Sequence, residues 1–228
     1  MYNVRHEWSE KTRRQKMNNI VTVYHGSDKI IEKPEFGKGH AYNDYGRGFY
    51  LTLSKDLAGE WAVLRTGFNG YINEYELNLA GMNILDTNKI KTETLMAILI
   101  KNREIDFAEV FTDNRNQFIE KYDMDIDDYD IIRGIRANDR FYSYMRSFIT
   151  GLITKEAVEK LINLGDWGIQ ICLKSAKAFE RIELTGYTEA KSDIYYKDAQ
   201  SRNQIAGDLY RKTDGKILRE GSFITDLL

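Results

Sequence analysis

The chain has 228 residues, 42% hydrophobic and 30% charged, which is ordinary for a soluble globular protein and allows one sizeable core or at most two small domains. Its 33 Lys plus Arg nearly balance 35 Asp plus Glu, so no strong field calls for nucleic acid or anionic lipid as a partner. The lone cysteine, Cys172, excludes an intramolecular disulfide, and the absence of an apolar signal-peptide core completes the expectation of a reducing cytoplasm.

Residues 1–18, "MYNVRHEWSEKTRRQKMN", carry five Lys/Arg against two Glu and read as a polar arm outside the core, with Met17 as an alternative start. The remainder, 19–228, reads as one domain with a helical insertion at about 90–128. A strand is expected at 20–24, running into "YHGS". The glycine-rich loop "GKGHAYNDYGRG" (37–48) follows, then a short strand "FYLTL". Ser54 reads as the N-cap of a helix through about Arg65, with Leu57, Trp61 and Leu64 at i, i+4, i+7 beside Ala58 and Ala62. "GYINEYELNL" (70–79) reads as a strand with Tyr71, Tyr75, Leu77 and Leu79 on one face and Glu74 and Glu76 on the other.

Helices are expected at about 91–102 and 106–121. The acidic stretch "YDMDIDDYD" has Asp128 where a calcium loop needs glycine and Gly134 where it needs glutamate, so it reads as a solvated turn. A strand "DIIRGI" (130–135) leads to helices at about 139–149 and 155–164, the second capped by Thr154. "WGIQICL" (167–173) reads as a strand, "SAKAFE" as a short helix, "RIEL" as a last strand, and 189–212 as a polar helix. Strands flank a helical block without regular alternation, which predicts an α+β fold. The longest apolar run, near "LMAILI", is far short of the roughly 20 residues of a membrane span. His6, His25 and His40 show no i, i+4 pairing and one cysteine cannot build a zinc site, so no metal is expected. Cys172, in "IQICLK", reads as an inert core thiol.

Three stretches concentrate the chemistry: "YHGS" at 24–27, "GRGFYLTLSKDLAGEWA" at 46–62 and "IQICLKSAKAFERIEL" at 169–184. Singly each reads as structure: a strand end, a turn that lacks the GxxG of a dinucleotide fingerprint, a half-buried sheet tyrosine. In this order they resemble the ADP-ribosyltransferase superfamily, most closely its branch with a His-Tyr-Glu signature, which includes poly-ADP-ribose polymerases and diphtheria-type toxins. His25-Gly26-Ser27 and Gly46-Arg47-Gly48-Phe49-Tyr50 match its first two motifs, followed by the helix from Ser54 and the strand at 70–79. With "DYDII" and "QICLKS" the pattern looks like an uncharacterised bacterial family of that superfamily. The closer part spans roughly 20–80 and the looser part 129–185.

The resemblance implies a split β-sheet core with inserted and flanking helices, and NAD as substrate. It implies that Gly26, Ser27, Arg47 and Gly48 bind NAD. Gly26, lacking a Cβ, would let its backbone grip the nicotinamide carboxamide. His25 would bond a ribose hydroxyl, Tyr50 would stack on the nicotinamide ring, and Arg47 would pair with the pyrophosphate. The position of the catalytic glutamate is taken by Gln170. An amide holds a ribose hydroxyl but offers no full charge, which at about 4 Å and an effective dielectric of ~20 is worth about 4 kcal/mol, on the order of a thousandfold in rate. Processive polymer formation is therefore not expected. Glu74 in "NEYEL" resembles the third motif, but its place just after the helix suits the intervening strand. Asn138, Asp139, Asn43 and Asp44 read as cap and loop-shaping residues.

The expected function is a mono-ADP-ribosyltransferase, a bacterial toxin or defence effector with an unknown protein or nucleic-acid acceptor and a cognate antitoxin as partner, and no membrane. The alternatives are a non-catalytic NAD or ADP-ribose binding module and an RNA 2′-phosphotransferase-like enzyme, against which the near-neutral charge argues.

Overall fold

The computed structural model describes residues 19–63, 67–103, 108–137, 139–164, 168–213 and 215–228. The N-terminal arm with Met17, as well as Leu64, Arg65, Asn138 and Trp167, lies outside the described residues. The chain runs β1 (Ile20–Ser27), β2 (Phe49–Thr52), α1 (Lys55–Val63), β3 (Gly70–Asn78), β4 (Ile84–Asp86), α2 (Thr92–Asn102) and α3 (Thr112–Tyr122). It continues with β5 (Ile131–Ile135), α4 (Asp139–Ile149), α5 (Lys155–Leu164), β6 (Ile169–Leu173), α6 (Ala176–Phe179), β7 (Ile182–Ala190), α7 (Ser192–Lys212) and α8 (Ile224–Leu227). The fold is α+β, as the sequence predicts.

The strands form one sheet in the order β4-β5-β6-β2-β1-β3-β7, antiparallel except for β4 beside β5. Three strand readings change. β1 continues past Tyr24 to Ser27 because β3 accompanies it throughout, from Ile20 opposite Asn78 to Ser27 opposite Tyr71. β7 runs to Ala190 for the same reason, with β3 as its ladder partner. β4, three residues long, carries too little pattern to be read locally.

Two larger cores and one small one hold the sheet. On one face, beside β5 and β6, α2, α4 and α5 bury Met96, Ile98, Leu99, Phe141, Phe148 and Val158. Six successive α2 residues, Leu95–Ile100, are buried, so the expected insertion contributes a core helix there. The opposite face buries Val21, Val23, Leu51, Tyr75, Leu77, Ile171 and Phe179. Burying each large apolar side chain of this kind stabilises by about 1.5–3 kcal/mol. A small core of Ala58, Ala62, Val63, Ile72 and Ala190 seats α1. The predicted caps are in place: Ser54 Oγ accepts from Leu57 N at 3.2 Å, and Thr154 Oγ1 from Ala157 N at 3.3 Å.

Candidate functional site

β1 and β2 share a single register pair, Tyr24 with Thr52, and then part. Beyond that point His25, Gly26 and Ser27 keep β3 on one side and have no ladder partner on β2 among the described residues. His25 spans the gap: its Nδ1 lies 2.7 Å from the backbone carbonyl of Tyr50. A carbonyl only accepts, so Nδ1 carries the proton. Burial lowers the imidazole pKa from its usual 6.5, so the neutral ring is favoured and Nε2 is left as an acceptor. The ring is also fixed from one side by Phe49, with centroids 4.4 Å apart. A hydroxyl donor is what this imidazole is prepared to receive.

Tyr50 closes the glycine loop. Its hydroxyl donates to Gly46 O at 2.7 Å and accepts from Tyr45 N at 3.0 Å. Gly46 needs its positive φ of 74° to make that turn. Tyr45 is fully buried, donates to Ile135 O at 3.0 Å, and its own carbonyl accepts from Lys174 Nζ at 3.0 Å. The loop is thus tied at several points to β5 and β6.

Residues 21–184 match the family described as a protein of unknown function, DUF3990. The chain belongs to that family. No curated protein and no solved structure matches it.

In this DUF3990 chain the other expected site residues have local roles as well. A Cβ on Gly26 would overlap the carbonyl oxygen of Ala58 and approach Ala62 N to 2.7 Å, so the glycine is required by the seating of α1 on β1. The missing Cβ thus has a structural role of its own in this fold. Ser27 Oγ accepts from Lys29 N at 3.1 Å in a local turn. Arg47, exposed, donates to Gly37 O at 2.8 Å and joins the ends of the glycine loop. Gly48 passes so close to β6 that a Cβ would strike Cys172 Sγ and lie 2.6 Å from Leu173 O.

Gln170 shares a face of the sheet with Tyr50: it pairs with Thr52, while Tyr50 pairs with Cys172. His25 is on the opposite face with Phe49, so the structure joins His25 to Tyr50 and places Gln170 diagonally behind Tyr50. The Gln170 amide donates through Nε2 to Asp44 Oδ2 at 2.5 Å and to Ile135 O at 3.2 Å. Asp44 is the hub that the sequence reading took only as loop-shaping. Besides Gln170 it accepts from Ala137 N at 2.9 Å, the Tyr142 hydroxyl at 2.8 Å and Arg103 at 3.3 Å. Burial raises its pKa, while the hydrogen bonds and the Arg103 guanidinium pull the other way. Its partners come from distant parts of the chain, so the only sequence signal was an aspartate inside a glycine loop.

Glu74 lies on the α1 side of the sheet opposite Tyr24, away from the His25 face. In the acidic stretch, Asp130 is not solvated: it accepts from Ser175, Lys177 and Asn83 N, which hold its pKa at about 2. Cys172 is fully buried and its thiol is pushed up to about 12 by burial, as befits an inert core residue. No group of metal-ligating side chains occurs among the described residues, and no described helix is long and apolar enough to cross a membrane.

Proposed function

We propose that this DUF3990 chain is an NAD-dependent mono-ADP-ribosyltransferase, acting as a toxin or defence effector. The single observation that carries the reading is the neutral His25 bonded to Tyr50 O at 2.7 Å, just where β1 leaves β2. It offers an acceptor nitrogen and an unladdered strand edge, which suit a ribose hydroxyl and a carboxamide respectively. In the reaction the bond between nicotinamide nitrogen and ribose C1′ breaks and its electron pair leaves with nicotinamide. The acceptor's lone pair then forms the new bond to C1′ and the acceptor loses a proton. Gln170 would hold the sugar hydroxyl without supplying charge, in keeping with slow single transfer.

The absence of a carboxylate at position 170 also favours a second reading, a non-catalytic module that binds NAD or ADP-ribose. The deciding experiment is nicotinamide release from NAD by purified protein, alone and with cell lysate, beside His25→Ala and Tyr50→Ala. Release that both substitutions abolish supports the transferase, and stimulation by lysate points to a macromolecular acceptor. NAD binding without release selects the binding module. Neither release nor binding sinks both.

A further inference from the structure

Gln170 is only 4% exposed, and a buried amide that satisfies one end and not the other invites an explanation. Both protein acceptors around it, Asp44 Oδ2 and Ile135 O, lie on the nitrogen. Turning the amide over would set its oxygen against those two acceptors, so the orientation is decided by its surroundings. Oε1 then faces away from Asp44 and Ile135 O, and the hydrogen bonds of the amide to both run through its nitrogen. Oε1 is not among the fully buried side-chain atoms without a partner in the described part of the chain.

Asp44 does this work from a rigid place. Its Oδ2 takes Gln170 and Ala137 N, and its Oδ1 takes Tyr142 and Arg103. The two oxygens are therefore separable in function: one holds the amide, the other holds α4 and the end of α2. Resonance within the amide carries the effect further. A carboxylate accepting from Nε2 draws positive charge onto the nitrogen and leaves Oε1 a better acceptor.

Resting on the transferase reading above, we propose that Asp44 is a positioning residue that locks the Gln170 amide with Oε1 turned out as an acceptor for a sugar hydroxyl of the nucleotide. The glycine loop thereby supplies, through an amide, part of what a carboxylate at position 170 would supply directly. Oε1 is on the Tyr50 face of the sheet, so the hydroxyl it receives is presented from that face.

The test compares Asp44→Leu, Asp44→Asn, Gln170→Leu and Tyr142→Phe for nicotinamide release, with melting temperature measured alongside. Asp44→Leu and Gln170→Leu lower kcat by about tenfold or more while KM for NAD stays within about twofold. Asp44→Asn recovers most of the rate, because its oxygen still takes Gln170 and Ala137, while its nitrogen donates to the Tyr142 hydroxyl oxygen and gives up only the 3.3 Å bond from Arg103. Tyr142→Phe lowers the melting temperature yet keeps kcat, since it touches only Oδ1. An Asp44→Leu protein that melts early but keeps kcat overturns the proposal, and so does a Gln170→Leu protein with unchanged kcat.

Wild-type protein that releases no nicotinamide overturns the transferase reading instead. The positioning is then read from the Gln170 side-chain amide by ¹⁵N–¹H NMR on addition of ADP-ribose. A slowly exchanging pair that shifts with ADP-ribose and is also present in Asp44→Asn upholds the lock. An amide that exchanges rapidly in the wild type, or does not respond to ADP-ribose, refutes it.

Discussion

The two halves of the sheet seat their helices by different means. The β5–β6 half is held by polar anchors set into a packed core: Asp44 gathers Gln170, Ala137, Tyr142 and Arg103, and Tyr45 ties the same loop to Ile135 and Lys174. The β1–β3 half seats its helix by absence of bulk: Gly26 lets α1 approach until Ala58 and Ala62 touch the strand backbone. The first half adds directed anchors to its helices, because each hydrogen bond has a geometry; in the second, Asn73 and Tyr75 anchor the 29–31 loop by hydrogen bonds, but α1 itself is seated by close approach. The candidate site lies where they meet. There β2 keeps its ladder with β6 but shares only one pair with β1, and His25 bridges the rest.

That contrast predicts a ranking. Asp44→Ala breaks the polar half and has the largest effect: four donors lose their acceptor at once, with a loss of about 3–5 kcal/mol in unfolding free energy by urea titration. A loss within 1 kcal/mol would mean the hub does not hold this half. Gly26→Ala breaks the other half next, at about 3 kcal/mol, because the methyl group meets helix backbone that has no rotamer to escape into. If α1 is seated as described, circular dichroism of that variant also shows lost helix. Tyr50→Phe sharpens the comparison at about 1–2 kcal/mol, for it removes the two bonds to Gly46 and Tyr45 and keeps the ring. Hydrogen exchange should then quicken in the glycine loop and leave β3 unchanged.

The smallest effect is on the junction itself and depends on pH. The folded His25 titrates below the usual 6.5 and the unfolded one near it. Between those values the unfolded chain binds the extra proton, so stability falls as pH falls below about 6.5 and is fully present above it. His25→Gln should flatten that part of the stability curve, and an unchanged slope would place the acid sensitivity elsewhere. Protonation also converts Nε2 from acceptor to donor, so NAD binding should weaken over the same window.

Much of the fold was legible because its signals are local. Helices α4 and α5 fall where periodicity places them, Ser54 and Thr154 cap as their side chains predict, and Cys172 is the core thiol its apolar neighbours suggest. The misses have a common cause. β1 beyond Tyr24, the long β7 and the three-residue β4 exist because of a partner strand, and no residue within them announces that partner. The site divides in the same way. The order of His25, Tyr50 and Gln170 was visible in the chain, but the reason for Gly26, the loop-closing hydroxyl of Tyr50 and the burial of Gln170 against Asp44 were not.

By itself, then, the sequence determined an α+β chain and the helix caps at Ser54 and Thr154, because these depend on neighbours within a turn or two. Only the tertiary structure decided which atoms His25, Tyr50 and Gln170 still have to offer. Long-range bonds consume Nδ1 of His25 and Nε2 of Gln170, and the closure of the glycine loop consumes the hydroxyl of Tyr50. What these three side chains still present is two acceptor atoms, His25 Nε2 and Gln170 Oε1, since a hydrogen-bonding group spent inside the fold is no longer free to bind outside it.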